Sequence, residues 1–438
     1  MSSFSISKVS FLKGKIKLPA DKSITHRAII ISSISKGKTI IDNFSLSRDC
    51  LYTLEAFRKL GIKIIKKDLK LLVYGRGLYG LRPPKSPIFV GDSGTTFRLL
   101  CGVLAGQDFS SVLTAGKSLS RRPMLRVTQP LRMMGARIIS ESKIKNLKEE
   151  YPPIIINGAE LKAITYRLPV ASAQVKSAIL LAGLYAEGTT KIIEPIPTRD
   201  HTERMLKLFK ASLTVKKKEI AIKGKRELTS PGYIFIPGDI SSASFFIVGS
   251  LILEGSSLLI NSVSLNPTRL GLIKVLKRMG AKITLKYRDT SSSELIGDVW
   301  VKSSRLRSTV VKAEEVPSLI DEIPILMVAS CFAEGRTLIE SVQELRVKET
   351  DRIRSMVEGL TKMGAKVSLE KNGAKENIII EGETNLKGNK LNSYGDHRTA
   401  MSLVIAGLKA KGKTVIDDIS CIKKSFPNFL EILKGIIH

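Results

Sequence analysis

Residues 344–354 interleave four cations (Arg346, Lys348, Arg352, Arg354) with three carboxylates (Glu344, Glu349, Asp351) under little apolar cover. If the segment is helical, Lys348 and Arg352 lie four residues apart on one side, with Glu349 beside them where neighbouring charge can tune its acidity. Such an arrangement suits an anion site that includes a titrating acid. The alternative is a salt-bridged surface helix, the usual fate of a charge run. The choice depends on the elements that place this segment.

At 438 residues the chain is too long for one ordinary core, so two domains or a repeat architecture are expected. The longest apolar runs, Phe245 to Leu253 and Pro324 to Ala329, fall short of the roughly 18 residues of a membrane span. Met1 to Lys17 has no apolar signal-peptide region. Cys50, Cys101, Cys331 and Cys421 are far apart without metal spacing, so a reducing cytoplasm and no metal are expected. The net charge of +31 would ordinarily suggest nucleic acid or acidic lipid. Its lysines are scattered without the interleaved aromatics used for base stacking, so no nucleic-acid partner and no membrane are expected.

An internal repeat organises the chain. A helix-like apolar run, a glycine and a β-rich run recur around Gly37, Gly106, Gly188, Gly255, Gly335 and Gly412. A second helix-stop-strand follows each, at Gly61, Gly135, Ala211, Gly280, Gly364 and Gly435, where glycine suits the left-handed residue after a helix. Strand-like segments also run into small polar turns at Asp21, Asp92, Ser172, Asp239, Asp321 and Asp396, each expected to cap a helix. The implied unit is strand, capped turn, helix, glycine, strand, helix, glycine, strand, six times over.

The repeat explains two apparent nucleotide motifs. Gly407 to Thr414 matches a phosphate-loop pattern, but its glycines follow a helix and precede a strand, the reverse of that loop. Gly75 to Gly80 matches a dinucleotide pattern, but Pro83 and Pro84 stand where a helix should begin.

Helix N-termini attract anions through free N–H groups and the positive end of the dipole. The polar residues gather there: Asp21 to Arg27, Gly91 to Thr95, Ser172 to Gln174, Gly238 to Ser242, Ile320 to Glu322 and Asp396 to Arg398. His26, His201 and His397 lie in or near these segments, and a local structural hydrogen bond is the simplest role for each.

Pro19 to Arg27, Ser172 to Lys176, Thr198 to Arg204, Asn266 to Arg269 and Leu345 to Arg352 together resemble the 3-phosphoshikimate 1-carboxyvinyltransferase (EPSP synthase) family, class II bacterial type. The match runs in order along almost the whole chain. The resemblance implies an α/β (α+β) fold, a two-domain inverse α/β prism built from six βαβαββ repeats. One lobe would be 22–239 and the other 1–21 plus 240–438, with the active site in the cleft between them. The family moves the enolpyruvyl group of phosphoenolpyruvate to the 5-hydroxyl of shikimate 3-phosphate through a tetrahedral intermediate. That chemistry needs a base, an acid for the methylene carbon and cations for phosphates and carboxylates.

By resemblance Asp321 is the base and Glu349 the proton donor, with Lys22 assisting. Lys22, Ser23, Arg27, Ser172, Ala173, Gln174, Arg199, Asp321 and Lys348 would hold shikimate 3-phosphate. Lys22, Gly94, Arg122, Gln174, Arg352, Arg398 and Lys424 would hold phosphoenolpyruvate. No cofactor and no metal are implied, and a monomer acting on small molecules is expected. Asp92 departs from the family's asparagine, and a carboxylate there should repel an anion unless a cation is beside it. Ala20 and Thr25 are mild departures, and Gly94 is the residue associated with glyphosate sensitivity. The sister UDP-N-acetylglucosamine 1-carboxyvinyltransferase family carries a reactive cysteine where Thr114 to Pro123 here has none. A basic RNA-binding repeat protein would explain the charge but not Asp321, Glu349 and Arg398 on these turns.

Overall fold

The computed structural model describes residues 3–142, 149–288 and 293–438. The chain forms two compact units, one of Ala20–Ile236 with Ser291–Glu294, the other of Met1–Pro19, Pro237–Thr290 and Leu295–His438. Each has its own apolar core. Among the described residues no helix is long and apolar enough to cross a membrane.

Among the described residues one rule builds five of the six sheets. In the second repeat the short strand Ile88–Phe89 pairs in parallel with Ser110–Thr114, which pairs antiparallel with Ile154–Asn157, itself antiparallel to Arg137–Ser140. A parallel pair needs a crossover, supplied here by the helix Gly94–Ala105. That helix and its counterparts, such as Ala173–Gly183 and Ile240–Ile252, are buried almost throughout their length. They pack closely enough that a Cβ on Gly102 would lie 2.1 Å from the Ala178 carbonyl oxygen. Because their sides are covered, their N-terminal ends are where polar groups gather.

Where the chain passes from one unit to the next, the last strand before the crossing pairs inside the unit it is leaving. Lys13–Lys17, which precedes the first repeat's helix Lys22–Ser33 in sequence, pairs with Ser257–Ser264 inside the unit that contains both strands. Reciprocally, Tyr233–Phe235, which leads into Ile240–Ile252, pairs with Lys36–Asp42. The sixth repeat lacks its own hairpin. Its strand Lys413–Ile416 pairs with Lys390–Leu391 and with Phe4–Ser7 from the start of the chain, and the residues after Gly435 form a bridge, Leu12 to Ile437.

Three local expectations are corrected. Residues 344–354 are not one helix: a 3-10 turn covers Gln343–Val347, Lys348 is extended, and a helix begins only at Arg352, capped by Asp351. Lys348 and Arg352 therefore do not share a helix face. Asp92 does not cap its helix; Ser93 does, accepting from the Thr96 N–H, because the Asp92 carboxylate turns to another segment. Asp321 is not the N-cap residue of its helix: it lies inside the 3-10 turn Ile320–Glu322 that joins Val316–Leu319 to Ile323–Cys331. The other four turns cap as expected, through Asp21, Ser172, Asp239 and Asp396.

Both apparent nucleotide motifs follow the repeat: Gly407 ends the helix His397–Gly407 and the strand Lys413–Ile416 follows, while Gly75 lies in the strand Lys70–Arg76.

Candidate active site

In the unit containing Ala20–Ile236, hydrogen bonds tie together three helices, Lys22–Ser33, Arg48–Lys59 and Gly94–Ala105. His26 Nδ1 lies 2.6 Å from Thr53 Oγ1, which is 2.7 Å from Thr96 Oγ1, itself 2.7 Å from the Ser93 hydroxyl. Burial, with Lys22 and Arg27 nearby, pushes the His26 pKa well below its usual value and keeps the ring neutral. This is the structural role expected for it.

Arg27, 3% exposed, donates through Nε to Thr202 Oγ1 (2.6 Å), through Nη2 to Ser177 Oγ (2.8 Å) and through Nη1 to the Ser23 carbonyl (2.9 Å). Burial pushes its pKa down to about 10, with Glu203 and Asp21 opposing. Lys22, at the first turn of the same helix, reaches Asp49 Oδ2 at 3.0 Å. Ser172 caps the helix begun by Ala173, and Gln174 on that first turn accepts from Arg98 Nη1 (2.6 Å) and donates to Thr95 Oγ1 (2.9 Å). Gly94 opens the neighbouring helix, where a Cβ would lie 2.9 Å from an Nη1 of both Arg98 and Arg122. Its missing side chain leaves room for two guanidinium groups at one N-terminus.

Asp92 is placed for positioning. Its Oδ1 accepts the backbone N–H groups of Ser118 (3.0 Å) and Leu119 (3.1 Å), at the start of the turn that leads to Arg122. The carboxylate thus holds the segment carrying a candidate anion ligand.

A buried ionic cluster missed in the sequence supports Arg27 and Arg199. Lys176, 1% exposed, has Nζ 2.6 Å from Glu203 Oε1, 3.1 Å from Glu194 Oε2 and 3.4 Å from the Thr198 carbonyl. Glu194 also accepts from the Thr198 N–H and hydroxyl. Burial raises the Glu203 pKa although Lys176 opposes it. The segment tied down carries Arg199 and Thr202, the latter bonded to Arg27. His201, buried nearby, pairs with Glu294 at 2.6 Å.

The unit containing Pro237–Thr290 and Leu295–His438 has its own convergence. Arg352, 1% exposed, places Nε 2.8 Å from Asp396 Oδ2, Nη1 3.2 Å from Asp321 Oδ1 and Nη2 2.5 Å from Glu349 Oε2. Burial works against the charge, but Asp396, Glu349 and Asp321 outweigh it and hold the pKa above the ordinary arginine value. One guanidinium therefore joins the candidate base to the candidate acid. Arg398 donates through Nη1 to the Asp321 carbonyl (2.8 Å) and lies 3.4 Å from Glu322 Oε1. Glu322 also accepts from the Ser241 hydroxyl, beside Arg269. Lys424 donates to the Gly395 carbonyl at 3.4 Å, next to the Asp396 cap. Lys348 sits in the extended stretch before Glu349. Arg346 is bound by Glu376 and Asp351, and Arg354 by Glu358 on the surface, so both have structural partners.

Asp49, Arg98, Lys176, Glu194, Glu203, Glu322 and Arg269 carried no assigned role in the sequence. Lys176, Glu203 and Arg269 do stand within the quoted motifs, which was the available signal.

The chain matches the family model for EPSP synthase (3-phosphoshikimate 1-carboxyvinyltransferase) over residues 6–433. The chain belongs to the EPSP synthase family. A curated member from Desulforamulus reducens is 46% identical over 433 residues, covering 99% of each chain. Another, from Bacillus thuringiensis, is 45% identical over 427 residues, covering 98% of this chain and 97% of the relative. A solved EPSP synthase from Acinetobacter baumannii superposes with a TM-score of 0.86 at 42% identity, covering 99% of this chain and 98% of that one. The mixed α/β architecture with repeated βαβ units is thus that of the EPSP synthase structures.

Proposed function

We propose that this protein transfers the enolpyruvyl group of phosphoenolpyruvate to the 5-hydroxyl of shikimate 3-phosphate, releasing phosphate, in the shikimate route to aromatic amino acids. The observation that carries the residue roles is the single Arg352 guanidinium bonded to both Asp321 and Glu349. Asp321 takes the proton from the 5-hydroxyl as its oxygen bonds to C2 of phosphoenolpyruvate, and Glu349 delivers a proton to C3, giving a tetrahedral adduct. Glu349, now a carboxylate, then takes a methyl proton back from C3 as the C2–O bond to phosphate breaks, phosphate leaves with that bonding pair, and the new enol ether forms. Lys22 assists, as the family resemblance implies.

Lys22, Ser23, Arg27, Ser172, Ala173, Gln174, Arg199, Asp321 and Lys348 hold shikimate 3-phosphate. Lys22, Gly94, Arg122, Gln174, Arg352, Arg398 and Lys424 hold phosphoenolpyruvate, Lys424 by the weakest argument. Planar arginine forks engage carboxylate or phosphate with paired hydrogen bonds, which supports Arg122 and Arg398 in that role. The motifs at Pro19 to Arg27 and Ser172 to Lys176 support membership of the class II branch. The four free, buried cysteines support a cytoplasmic protein, and we take it to act as a monomer.

Running the reaction in deuterium oxide tests the addition–elimination: deuterium should enter C3 of the enolpyruvyl product, and a product free of deuterium would contradict it. Arg122→Ala should raise KM for phosphoenolpyruvate about 10- to 100-fold, the equivalent of one charge-assisted contact, and leave KM for shikimate 3-phosphate within about threefold. Equal rises in both would refute the assignment. Asp92→Asn keeps an acceptor for the Ser118 and Leu119 N–H groups, so KM for phosphoenolpyruvate should change less than about threefold. Asp92→Ala should raise it about fivefold, the value of one net hydrogen bond. Tighter binding by Asp92→Asn would revive simple repulsion.

Lys176→Met leaves Glu194 and Glu203 buried without their cation and should destabilise the protein by about 3–5 kcal/mol in denaturant titrations. It should also raise KM for shikimate 3-phosphate, because Arg27 and Arg199 lose their backing. Unchanged stability would show that the cluster contributes nothing net.

A further inference from the structure

The scattered lysines of the sequence are collected by strand pairing. In the sheet formed by Lys282–Arg288, Ile296–Lys302, Ser257–Ser264 and Lys13–Lys17, one row runs Lys282, Lys302, Ser257, Lys13. The next row on the same face runs Thr284, Trp300, Leu259, Lys15. Lys286 pairs with Asp298 and Lys17 with Asn261 in the rows beyond. Alternate residues Ile283, Val299, Val301, Leu258 and Ile260 point into the core, which fixes the lysines and Trp300 on the outer face. Asp298, the carboxylate in these rows, is held by Arg288 at 2.6 Å.

Trp300, the only tryptophan of the chain, is 47% exposed in the middle of this cationic surface. Its indole N–H donates to Ser257 Oγ at 3.2 Å, and the Lys302 ammonium lies 4.7 Å from the ring centroid. Beside it a groove of about 460 Å³ is lined by Lys277, Lys282, Thr284, Trp300 and Lys302 with Ala281 and Ile283, and by no carboxylate. None of the residues assigned to either substrate lies on this sheet.

We propose that this face binds single-stranded RNA, with a base stacked on Trp300 and phosphates on the lysines around it. Charge alone would serve any polyanion. A fixed aromatic ring between rows of ammonium groups is what a nucleobase joined to phosphates matches, because stacking and backbone neutralisation then act together. An acidic peptide offers no base to stack, and a membrane surface would call for protruding aliphatic side chains beside the cations, whereas the aliphatic residue in these rows, Leu259, is half-buried.

The full-length protein carries its own probe. Titration with an oligouridylate of about twelve nucleotides, a length within the usual single-strand site sizes, should quench Trp300 emission, with affinity falling steeply as salt rises. Anisotropy of the labelled oligonucleotide should show Trp300→Ala binding about 5- to 150-fold more weakly, the range for one stacked base. Lys282→Glu with Lys302→Glu should weaken it further while phosphate release stays within about twofold of the parent. Absence of binding at low salt would overturn the proposal. So would unchanged affinity in Trp300→Ala, equal competition by polyglutamate of the same charge, or equal affinity for uridine monophosphate.

Discussion

Glu349→Gln and Asp321→Ala should each lower kcat by about 10²- to 10⁴-fold, the usual contribution of a positioned acid or base, with the fold intact. Glu349→Gln preserves shape and can still accept from Arg352 Nη2, now 2.5 Å from the carboxylate. What it removes is the proton that C3 must receive. Asp321→Ala removes the acceptor for the 5-hydroxyl proton while leaving its backbone carbonyl, which receives Arg398 Nη1, in place. Both carboxylates are partly exposed, 23% and 19%, and the buried Arg352 they share keeps Asp396 at 2.8 Å in either variant, so its charge is not stranded. Steady-state rates with unchanged circular dichroism check this, and near-normal turnover in both variants would sink the acid–base assignment.

Arg352→Met should destabilise the protein by about 3–5 kcal/mol, because it leaves the fully buried Asp396 without its 2.8 Å partner. Asp396 also caps the helix His397–Gly407 by accepting the Arg398 N–H at 2.7 Å, so the loss reaches the anchor of a candidate phosphoenolpyruvate ligand. Adding Asp396→Asn to Arg352→Met should recover part of the stability, since the stranded charge is gone while an acceptor for the cap remains. Denaturant titrations of the single and double variants measure this. A double variant no more stable than Arg352→Met would show that the stranded carboxylate is not the cause. Turnover should stay low in both.

The repeat was legible because glycine and helix caps are local signals. Gly61, Gly135, Gly280 and Gly364 take φ between +84° and +110°, although Lys210 takes +62° in the third copy and Gly435 stays at −72°. Long-range strand pairing was not legible: nothing in Lys13–Lys17 says that its partner is Ser257–Ser264 rather than a neighbour in sequence. The break before Arg352 was also hidden, because Asp351 reads as one more charge until it caps a helix. Asp92 resembled a source of repulsion because its partners are backbone N–H groups more than 20 residues away, which no side-chain pattern announces. The Lys176 cluster was hidden for the same reason, as Glu194 and Glu203 join it only through the fold. The family motifs supplied the candidates for substrate contact, whereas the residues that hold those candidates in place come together only through the fold.

The most direct measurement is phosphate release by the purified protein with shikimate 3-phosphate and phosphoenolpyruvate supplied separately and together. Release only when both are present, with 5-enolpyruvylshikimate 3-phosphate formed in equal amount, is the predicted result. Release from phosphoenolpyruvate alone, or with UDP-N-acetylglucosamine in place of shikimate 3-phosphate, would contradict it.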